Sequence, residues 1–528
     1  MPTTMPSIFN DVLGPVMRGP SSSHTAGSYR IGKLLRDLAG ADLTAAEFEF
    51  HPLGSLATTY NTQGSDIGLA SGLVGLDIMD PEMPGSLVIA KEKGISITFK
   101  VHEFEADHPN TYKCTITGKS GEKYTAVALS TGGGMIRVIN LMGFPVDFLG
   151  DDSVFFAILK EGTDCADRKV VEDQISMVPG YSGATWMTDG TRNAVIYRFS
   201  QVPDLSGYVS LMESCFLFHR LLKSVMPIPG QGGTTLPFYE LHDLLQTPEF
   251  MSLTASELAK KFESFRSGYP ISWLESMMDN LISIWRSGIH IGLSGTQYSD
   301  RLAGSQSPGF MEASHSGRLI DAGPLNTMIA YSTALMEVKS SMGVVIAAPT
   351  AGACGGLPGC LIGLADYIKN DTQLAKGFWS AGLVGLFIAK DATFAAEVAG
   401  CQAETGAGSA MAAAGLVEMM GGTAQQAFDA ASMALQNVMG LVCDPVANRV
   451  EIPCLSRNAN AAANALTCAN MVLGGIDAVI PLDEAIITML KVGQAMPASL
   501  RCTALAGLSD TPTARKLEAG IGTIKNNQ

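Results

Sequence analysis

The chain has 528 residues, which suggests several domains rather than one, because domains usually contain about 100–200 residues. Hydrophobic residues make up 46% and charged residues 16%, against about 25% charged in an average globular protein, which excludes a disordered chain and predicts large buried surfaces. The net charge of −15 argues against nucleic acid, whose phosphates require a basic surface, so we expect a small-molecule partner.

The cysteines and apolar segments indicate the cellular compartment. Residues 1–18 lack the basic and apolar regions of a secretory signal, so the ten cysteines predict reduced thiols in a cytoplasmic protein. The uncharged stretch 340–365 has the length of a membrane span, but its six glycines and two prolines argue against a continuous apolar helix. We therefore expect neither membrane insertion nor a disulfide framework.

Residues 1–135 predict an α+β domain. Its polar turn Gly19 to Thr25 (GPSSSHT) runs into Ile31, Leu34 and Leu38, which have helical spacing. Hydroxyls and backbone N–H groups at a helix start can hold a carboxylate or phosphate, and they can equally form an ordinary helix cap. A glycine-rich loop, residues 130–134, closes this domain.

The rest of the chain predicts a small module, a linker and a helical domain. Residues 136–205 read as α+β, with a hairpin turn at Asp189-Gly190, and the Pro- and Gly-rich residues 206–240 as a linker. Residues 241–528 predict a mostly α-helical catalytic domain, in which ten of the thirty residues 391–420 are alanine and permit close helix packing. Thr423 and Gln426 have the capping-box spacing.

Familiar catalytic motifs are missing from the sequence, including a Walker loop, H-E-x-x-H and G-x-S-x-G. All eight histidines lie at or before His315, so a metal site in the last third must rely on other ligands. Cys401, Cys443 and Cys454 lie there in segments broken by glycine or proline. Thiolates favour iron–sulfur clusters or zinc, but cysteine is also a small buried hydrophobe, and separations of 42 and 11 residues do not decide.

A set of short stretches identifies a family. They are Gly19 to Thr25 (GPSSSHT), Gly54 to Leu56 (GSL), Ser130 to Gly134 (STGGG), Ala348 to Gly355 (APTAGACG), Gly400 to Thr405 (GCQAET), Gly440 to Ala447 (GLVCDPVA), Val450 to Asn458 (VEIPCLSRN) and Pro497 to Arg501 (PASLR). In this order they resemble the iron–sulfur-dependent L-serine dehydratases (L-serine ammonia-lyases), with the β-type and α-type portions fused in one chain.

The resemblance implies a cofactor and a substrate site. It implies that Cys401, Cys443 and Cys454 bind a [4Fe–4S] cluster whose fourth iron is open to substrate, whereas Cys354 lines the pocket. It also implies that the SSSHT turn contributes to the substrate site and that residues 136–205 form an ACT-like module. The predicted substrate-binding residues are Ser21, Ser22, Ser23, Thr25, Gln63, Thr350 and Arg457. The arginine could pair with the substrate carboxylate or stabilise a helix end.

Several positions depart from the family pattern. The β-type portion often carries a histidine, proposed as the base, where this chain has Gln63, which cannot titrate. The usual Asn-Ala-Ser-Ile-Ser-Gly is residues 391–396 (DATFAA), and the usual Arg-Glu-Thr has Cys502 at its centre. Either the base is His24, whose ordinary pKa of about 6.5 suits it, or the substrate is not serine. His51 is a weaker candidate for the base.

The expected function is the dehydration and deamination of a small β-hydroxy amino acid, with L-serine converted to pyruvate and ammonia. Alternatives are β-elimination on another substrate such as L-cysteine, a zinc or pyridoxal phosphate enzyme, and an amino-acid sensor that kept the cluster without turnover. We expect a homo-oligomer, with a dimer favoured.

Overall fold

The computed structural model describes residues 5–525, apart from residue 41, residues 163–164 and residues 231–235. The described chain contains a six-stranded sheet with helices, then a four-stranded sheet with helices, then a large helical region. The predicted order, with an N-terminal sheet region and a helical C-terminal part, is therefore confirmed.

The first region contains a mixed six-stranded sheet and one short strand outside that sheet. Its strands are β1 (Val16–Arg18), β2 (Leu43–Phe50), β3 (Ser96–Val101), β4 (Thr111–Gly118), β5 (Lys123–Gly132), β6 (Met135–Leu141) and β7 (Phe144–Phe148), and its helices are α1 (Gly27–Ala39), α2 (Leu56–Thr59), α3 (Ser65–Val74) and α4 (Ser86–Glu92). The sheet order is β3-β2-β4-β5-β6-β7, with only the β2–β3 pair parallel among the described strands. Helix α1 buries Ile31, Leu34, Leu35 and Leu38 in the core that it shares with this sheet, as their helical spacing predicts.

This region extends beyond the predicted boundary at residue 135. Gly132, Gly133 and Gly134 all have positive φ, and they turn the chain from β5 directly into β6, its neighbour in the sheet. The glycine-rich loop is therefore a hairpin turn inside the first domain, which ends after β7.

The middle region is a small antiparallel sheet covered by two helices. Its elements are β8 (Ser153–Leu159), α5 (Cys165–Ile175), β9 (Tyr181–Thr188), β10 (Asn193–Phe199), α6 (Val209–Cys215) and β11 (Phe216–Leu222). The order β11-β8-β10-β9 with a βαββαβ succession is the ferredoxin-like topology. Strand β11 corrects the predicted linker over residues 206–240, because Phe216 and Leu222 are buried and the strand pairs with β8. Part of that linker, residues 231–235, lies outside the described residues.

The helical region packs around one alanine-rich helix. Its elements are α7 (Leu241–Gln246), α8 (Pro248–Met251), α9 (Ala255–Ser267), α10 (Ile271–Ser294), α11 (Ser307–His315), α12 (Pro324–Ser340), β12 (Val344–Ile346), α13 (Gly356–Ile368), α14 (Leu374–Asp391), α15 (Ala396–Ala399), α16 (Thr405–Met419), α17 (Ala424–Gln436), α18 (Cys454–Leu473), α19 (Leu482–Ala495) and α20 (Pro512–Lys525). Every residue of α16 is buried, and α13, α14, α17 and α18 surround it. The capping box of Thr423 and Gln426 begins α17, as predicted.

One stretch of this region, Ala351–Ile368, is long and apolar enough to cross a membrane. Its most apolar window is 83% buried inside the fold, as a core helix would be, so the stretch is weak evidence for a span.

The N-terminal segment ties the first region to the helical one. Ile8, Phe9 and Val12 pack into the helical core, and β1 pairs antiparallel with β12. The turn that follows β1 and the segment that follows β12 therefore lie side by side, and the Ala351 backbone N–H donates to Ser22 Oγ at 3.2 Å. This junction positions the site described next.

Candidate active site

The SSSHT turn lies buried at the junction between the first and the helical regions. Residues Ser22–Ala26 form a single helical turn, and Ser21 Oγ accepts the backbone N–H of His24 at 3.2 Å, so the serine is also a helix cap. Its five polar side chains are all at most 8% exposed. Thr25 Oγ1 donates to the Gln63 carbonyl at 2.8 Å, so this hydroxyl fixes a neighbouring loop. The same buried turn therefore provides both the helix cap and the group of polar side chains.

His24 is completely buried among hydroxyls and one carboxylate. Its Nε2 lies 2.8 Å from Thr59 Oγ1, and its Nδ1 lies 3.1 Å from Ser21 Oγ and 3.6 Å from Glu397 Oε1. The Thr59 hydroxyl donates to the Ser55 carbonyl at 2.6 Å, which leaves its oxygen to accept a proton from Nε2. The nitrogen free to take up a proton is therefore Nδ1.

The charge state of this histidine follows from its surroundings. Burial lowers the pKa of His24, and the nearby Glu397 opposes that shift. The imidazole is thus neutral near pH 7, with a carboxylate in place to stabilise the imidazolium once Nδ1 is protonated. Glu397 is 7% exposed, and its Oε2 has no hydrogen-bond partner among the described residues. A neutral histidine with an adjacent carboxylate has the chemistry that a general base requires.

Two of the three predicted ligand cysteines meet directly. Cys401 follows Gly400, whose φ of 75° turns the chain after α15, and Cys443 lies in the loop after α17. The Cys401 and Cys443 sulfurs and a carboxylate oxygen of Glu404 all lie within 4.8 Å of one another. Glu404 was not predicted, although it belongs to the matched GCQAET stretch.

Cys454, the third predicted ligand, begins α18 and lies outside that compact group. Burial raises the pKa of its thiol, and the charge of Cys401 raises it further. A cubane binds each cysteine at a different iron, so its ligands need not crowd together as ligands of a single ion do.

The donor set fits an iron–sulfur cluster. Cys401, Cys443 and Cys454 are at most 5% exposed, and Cys443 has a raised pKa because it shares hydrogen bonds with the Cys401 thiol and with the Cys502 thiol. Metal binding replaces the protons of cysteine ligands, so three buried sulfurs of this kind suit a metal centre. A buried lysine, Lys339, lies near Cys454 and donates to the Val450 carbonyl. This lysine, which adjoins the uncharged stretch 340–365, was not predicted from its sequence position.

Thr350 and Arg457 flank the cysteines. Thr350 Oγ1 donates to Glu404 Oε1 at 2.7 Å, and burial, followed by the charge of Glu397, raises the pKa of Glu404 to about 7. The Arg457 guanidinium lies 3.5 Å from the Cys401 sulfur and donates to Asp444 at 2.9 Å. Both predicted residues therefore border the group formed by the Cys401, Cys443 and Cys454 sulfurs, called the sulfur centre below. The arginine also donates to the Val442 carbonyl at 2.9 Å, so it holds the loop that carries Cys443 rather than a helix end.

The departures at Gln63 and Cys502 are in contact. The Gln63 side-chain amide donates to the Cys502 sulfur at 3.7 Å, and both residues are buried. Ser55, from the matched GSL stretch, donates to the Cys502 carbonyl at 3.4 Å and lies 3.5 Å from His24 Nε2. The altered positions thus share one wall of the pocket, between the histidine and the sulfur centre.

His51 lies apart from this pocket. Its ring contacts Phe104, and its Nδ1 accepts the Leu53 backbone N–H at 3.2 Å.

A cleft of about 260 Å³ opens beside the Gln63 loop, lined on one side by Asn61, Thr62 and Asp66 and on the other by Tyr298, Asp300 and Arg449. The cleft therefore lies between the first region and the helical region, which supply its two sides.

Comparison with known proteins identifies the family. The family model for the serine dehydratase alpha chain matches residues 242–509. The probable L-serine dehydratase alpha chain of Bacillus subtilis (strain 168) is 40% identical over 245 residues, which cover 46% of this chain and 82% of the relative. The chain belongs to the serine dehydratase family. It is accordingly a lyase of the L-serine ammonia-lyase class, and the resemblance seen in its motifs is confirmed.

Other relatives match the α-type portion and the β-type portion of the chain. The L-serine dehydratase alpha chain of Peptoniphilus asaccharolyticus is 44% identical over 207 residues, 39% of this chain and 71% of the relative. The probable L-serine dehydratase beta chain of Bacillus subtilis (strain 168) is 40% identical over 152 residues, 29% of this chain and 67% of the relative. This dehydratase therefore resembles both an alpha chain and a beta chain within one polypeptide.

Proposed function

We propose that this dehydratase converts L-serine to pyruvate and ammonia with a [4Fe–4S] cluster held by Cys401, Cys443 and Cys454. The buried meeting of the Cys401 and Cys443 sulfurs beside His24 and Glu397 is the observation that carries the proposal. When bound, the cluster would supply a Lewis acid that makes the substrate hydroxyl a better leaving group.

A residue from each region takes part in proton transfer. His24 Nδ1 takes the α-proton of serine, and Glu397 stabilises the imidazolium that results. Loss of the α-proton and of the β-hydroxyl leaves an aminoacrylate, which tautomerises to an imine, and water hydrolyses the imine to pyruvate and ammonia.

Substrate orientation comes from groups on both sides of the junction. The hydroxyls of Ser21, Ser22 and Ser23 and the Arg457 guanidinium are hydrogen-bond donors suited to a carboxylate. The three serines are buried and Arg457 is partly buried, so little bulk water reaches them, which strengthens these electrostatic interactions. The interface between the regions is thus part of the catalytic apparatus.

Anaerobic reconstitution tests the proposal. We expect iron and sulfide to be retained by the wild-type chain and ammonia to be released from L-serine. Zinc in place of iron, or cluster-loaded protein that binds serine without releasing ammonia, would contradict the proposal.

The Gln63–Cys502 contact favours one second candidate, β-elimination of sulfide from L-cysteine. The Gln63 amide and the Cys502 thiol stand where the family pattern has a histidine and a glutamate. The thiol makes this wall of the pocket chemically softer, that is, more polarisable. Sulfide release from L-cysteine, measured beside formation of pyruvate from L-serine and of 2-oxobutanoate from L-threonine, separates the candidates.

Regulation, oligomeric state and cellular location complete the proposal. We propose that the βαββαβ region acts as an ACT-type regulatory module, which its ferredoxin-like topology supports. A homodimer and a cytoplasmic location remain predictions.

A further inference from the structure

A fully buried asparagine of the first region has an unpaired side chain. Asn110 is 0% exposed, and neither its Oδ1 nor its Nδ2 has a hydrogen-bond partner among the described residues. Burying an amide without partners costs free energy, and nearly all buried polar groups in proteins are paired with protein, water or a ligand. The unpaired amide therefore indicates a place for a polar ligand.

The backbone around Asn110 joins two of the stretches that border the candidate active site. The Ser130 N–H donates to the Asn110 carbonyl at 3.1 Å, and Ser130 Oγ donates to the Ser23 carbonyl at 2.7 Å. The Ser55 N–H donates to the carbonyl of the residue before Asn110 at 3.0 Å, and Ser55 Oγ lies 3.5 Å from His24 Nε2. Asn110 is thus fixed between a serine that contacts the SSSHT turn and a serine that lies beside the predicted base.

A second unpaired polar atom belongs to the same junction. Glu397 Oε2 has no hydrogen-bond partner in the described part of the chain, whereas its Oε1 faces the predicted base. Gly132, at the end of β5, lies so close to the segment before Glu397 that a Cβ atom on it would be 2.9 Å from the Ala395 backbone nitrogen. Burial lowers the pKa of His108, two residues before Asn110, and the charge of Glu397 raises it. The carboxylate is therefore close enough to this part of the first region to act on it electrostatically.

The two unpaired atoms complement a group that the other substrate-binding residues do not recognise specifically. The three serine hydroxyls and the Arg457 guanidinium suit a carboxylate, and a guanidinium cannot accept a hydrogen bond. Asn110 Oδ1 and Glu397 Oε2 are both acceptors, and the α-ammonium group of an amino acid offers three N–H donors. One ammonium group can therefore satisfy both atoms, through hydrogen bonds that its charge strengthens.

We propose that Asn110, together with Glu397, binds the α-ammonium group of the substrate and so selects amino acids over the corresponding hydroxy acids. This inference rests on the proposed function, because it takes the pocket around His24 as the substrate site. Asn110 makes or breaks no covalent bond, and its role is recognition. In a hydroxy acid a neutral hydroxyl replaces the ammonium group, so the charge-assisted hydrogen bonds are lost while the carboxylate keeps its partners.

Binding of a matched pair of ligands tests the proposal. L-Alanine and L-lactate differ only in the α-ammonium and α-hydroxyl groups, and neither carries the β-hydroxyl that dehydration removes. In isothermal titration of the reconstituted holoenzyme, the wild type should bind L-alanine at least about tenfold more tightly than L-lactate. Asn110→Leu, which keeps the approximate shape of the side chain, should weaken L-alanine binding about 10–100-fold and change L-lactate binding less than about threefold.

Asn10→Leu is the matched control, at a buried asparagine of the N-terminal segment whose amide is paired. Asn10 Nδ2 donates to the Ile228 carbonyl at 2.6 Å, and Oδ1 accepts the Ile228 N–H at 2.9 Å. Asn10→Leu should keep both ligand affinities and unfold at a lower urea concentration than the wild type, because it breaks two hydrogen bonds. Asn110→Leu should unfold at no lower a urea concentration than the wild type, because it removes a buried unpaired amide.

The titrations separate failure of this inference from failure of the proposed function. Equal weakening of both ligands in Asn110→Leu, unchanged binding of both, or a wild type without preference for L-alanine would overturn the role of Asn110. Release of ammonia from L-serine by that wild type would still support the proposed function. A wild type that prefers L-alanine but releases no ammonia, with the preference lost in Asn110→Leu, would contradict the proposed function and support the recognition role of Asn110.

Discussion

The helical core around α16 and the junction beneath the SSSHT turn are equally buried but chemically opposite. Residues of α16 such as Ala410 and Ala413 are small and apolar, and the helix packs closely enough that Gly415 lies against the Gly377 carbonyl. The junction instead buries His24, Glu397 and several thiols. Apolar burial stabilises the fold, whereas buried polar groups are costly unless they are paired, so the core supplies stability and the junction supplies chemistry.

The largest effect that separates the two regions is expected at the sulfur centre. Cys401→Ala and Cys443→Ala should reduce ammonia release from serine to background, because each removes a proposed ligand. Cys468→Ala, in the core, should keep activity and lose about 1 kcal/mol of unfolding free energy. Iron content, anaerobic activity and denaturant unfolding of the three variants measure this contrast. Full activity in either ligand variant would contradict it.

The next largest effect is expected at His24. His24→Gln should lower kcat by about 10²–10⁴-fold with a small change in KM, because it removes a general base and leaves the substrate-binding groups in place. His290→Gln, an exposed histidine of α10, is the matched control and should leave kcat unchanged. Steady-state kinetics of reconstituted enzyme check both.

The pH profile distinguishes a base from a merely structural histidine. Burial lowers the pKa of His24 and the charge of Glu397 opposes that shift, so Glu397→Gln should lower the pKa further and move the acidic limb of kcat/KM to lower pH. An unchanged limb would show that His24 does not titrate in the reaction.

A smaller effect concerns a carboxyl that joins the regions. Burial raises the pKa of Asp11 from 3.8 to about 6, against the opposing Ser7 N–H and Arg266. The folded chain therefore holds the Asp11 proton more tightly than the unfolded chain does. This adds at most about 3 kcal/mol to the free energy of unfolding, and the addition is present below about pH 4 and is lost as pH rises towards 6.

Asp11→Asn should flatten the fall in unfolding free energy between about pH 4 and 6. Exposed Asp321→Asn is the control for removing a negative charge, and it should keep the slope. Urea unfolding at several pH values measures both, and an unchanged slope in Asp11→Asn would exclude the assignment.

The smallest effect lies wholly in the core. Thr423→Ala removes the capping box of α17 and should cost about 1 kcal/mol of unfolding free energy without changing kcat. A change in kcat would mean that stability and chemistry are less separate than the two regions suggest.

The sequence predicted features that depend on local order. The capping box at Thr423 and the helical face of α1 follow from local spacing, whereas the meeting of Cys401 with Cys443 was implied by the family resemblance alone. Glu397 and Lys339 were missed, because their roles arise from contacts between segments that are distant in sequence. The boundary at residue 135 was wrong because a glycine-rich turn can join two strands as readily as two domains.

The most direct test of the central claim is the metal content of Cys454→Ala, since this cysteine lies outside the compact group formed by Cys401 and Cys443. Iron and acid-labile sulfide are measured in anaerobically reconstituted wild type and variant, together with their visible spectra. We predict a cubane in the wild type and its loss in Cys454→Ala with the fold retained. An intact cubane in the variant, or a wild-type chain that binds a single zinc ion, would contradict the three-cysteine centre.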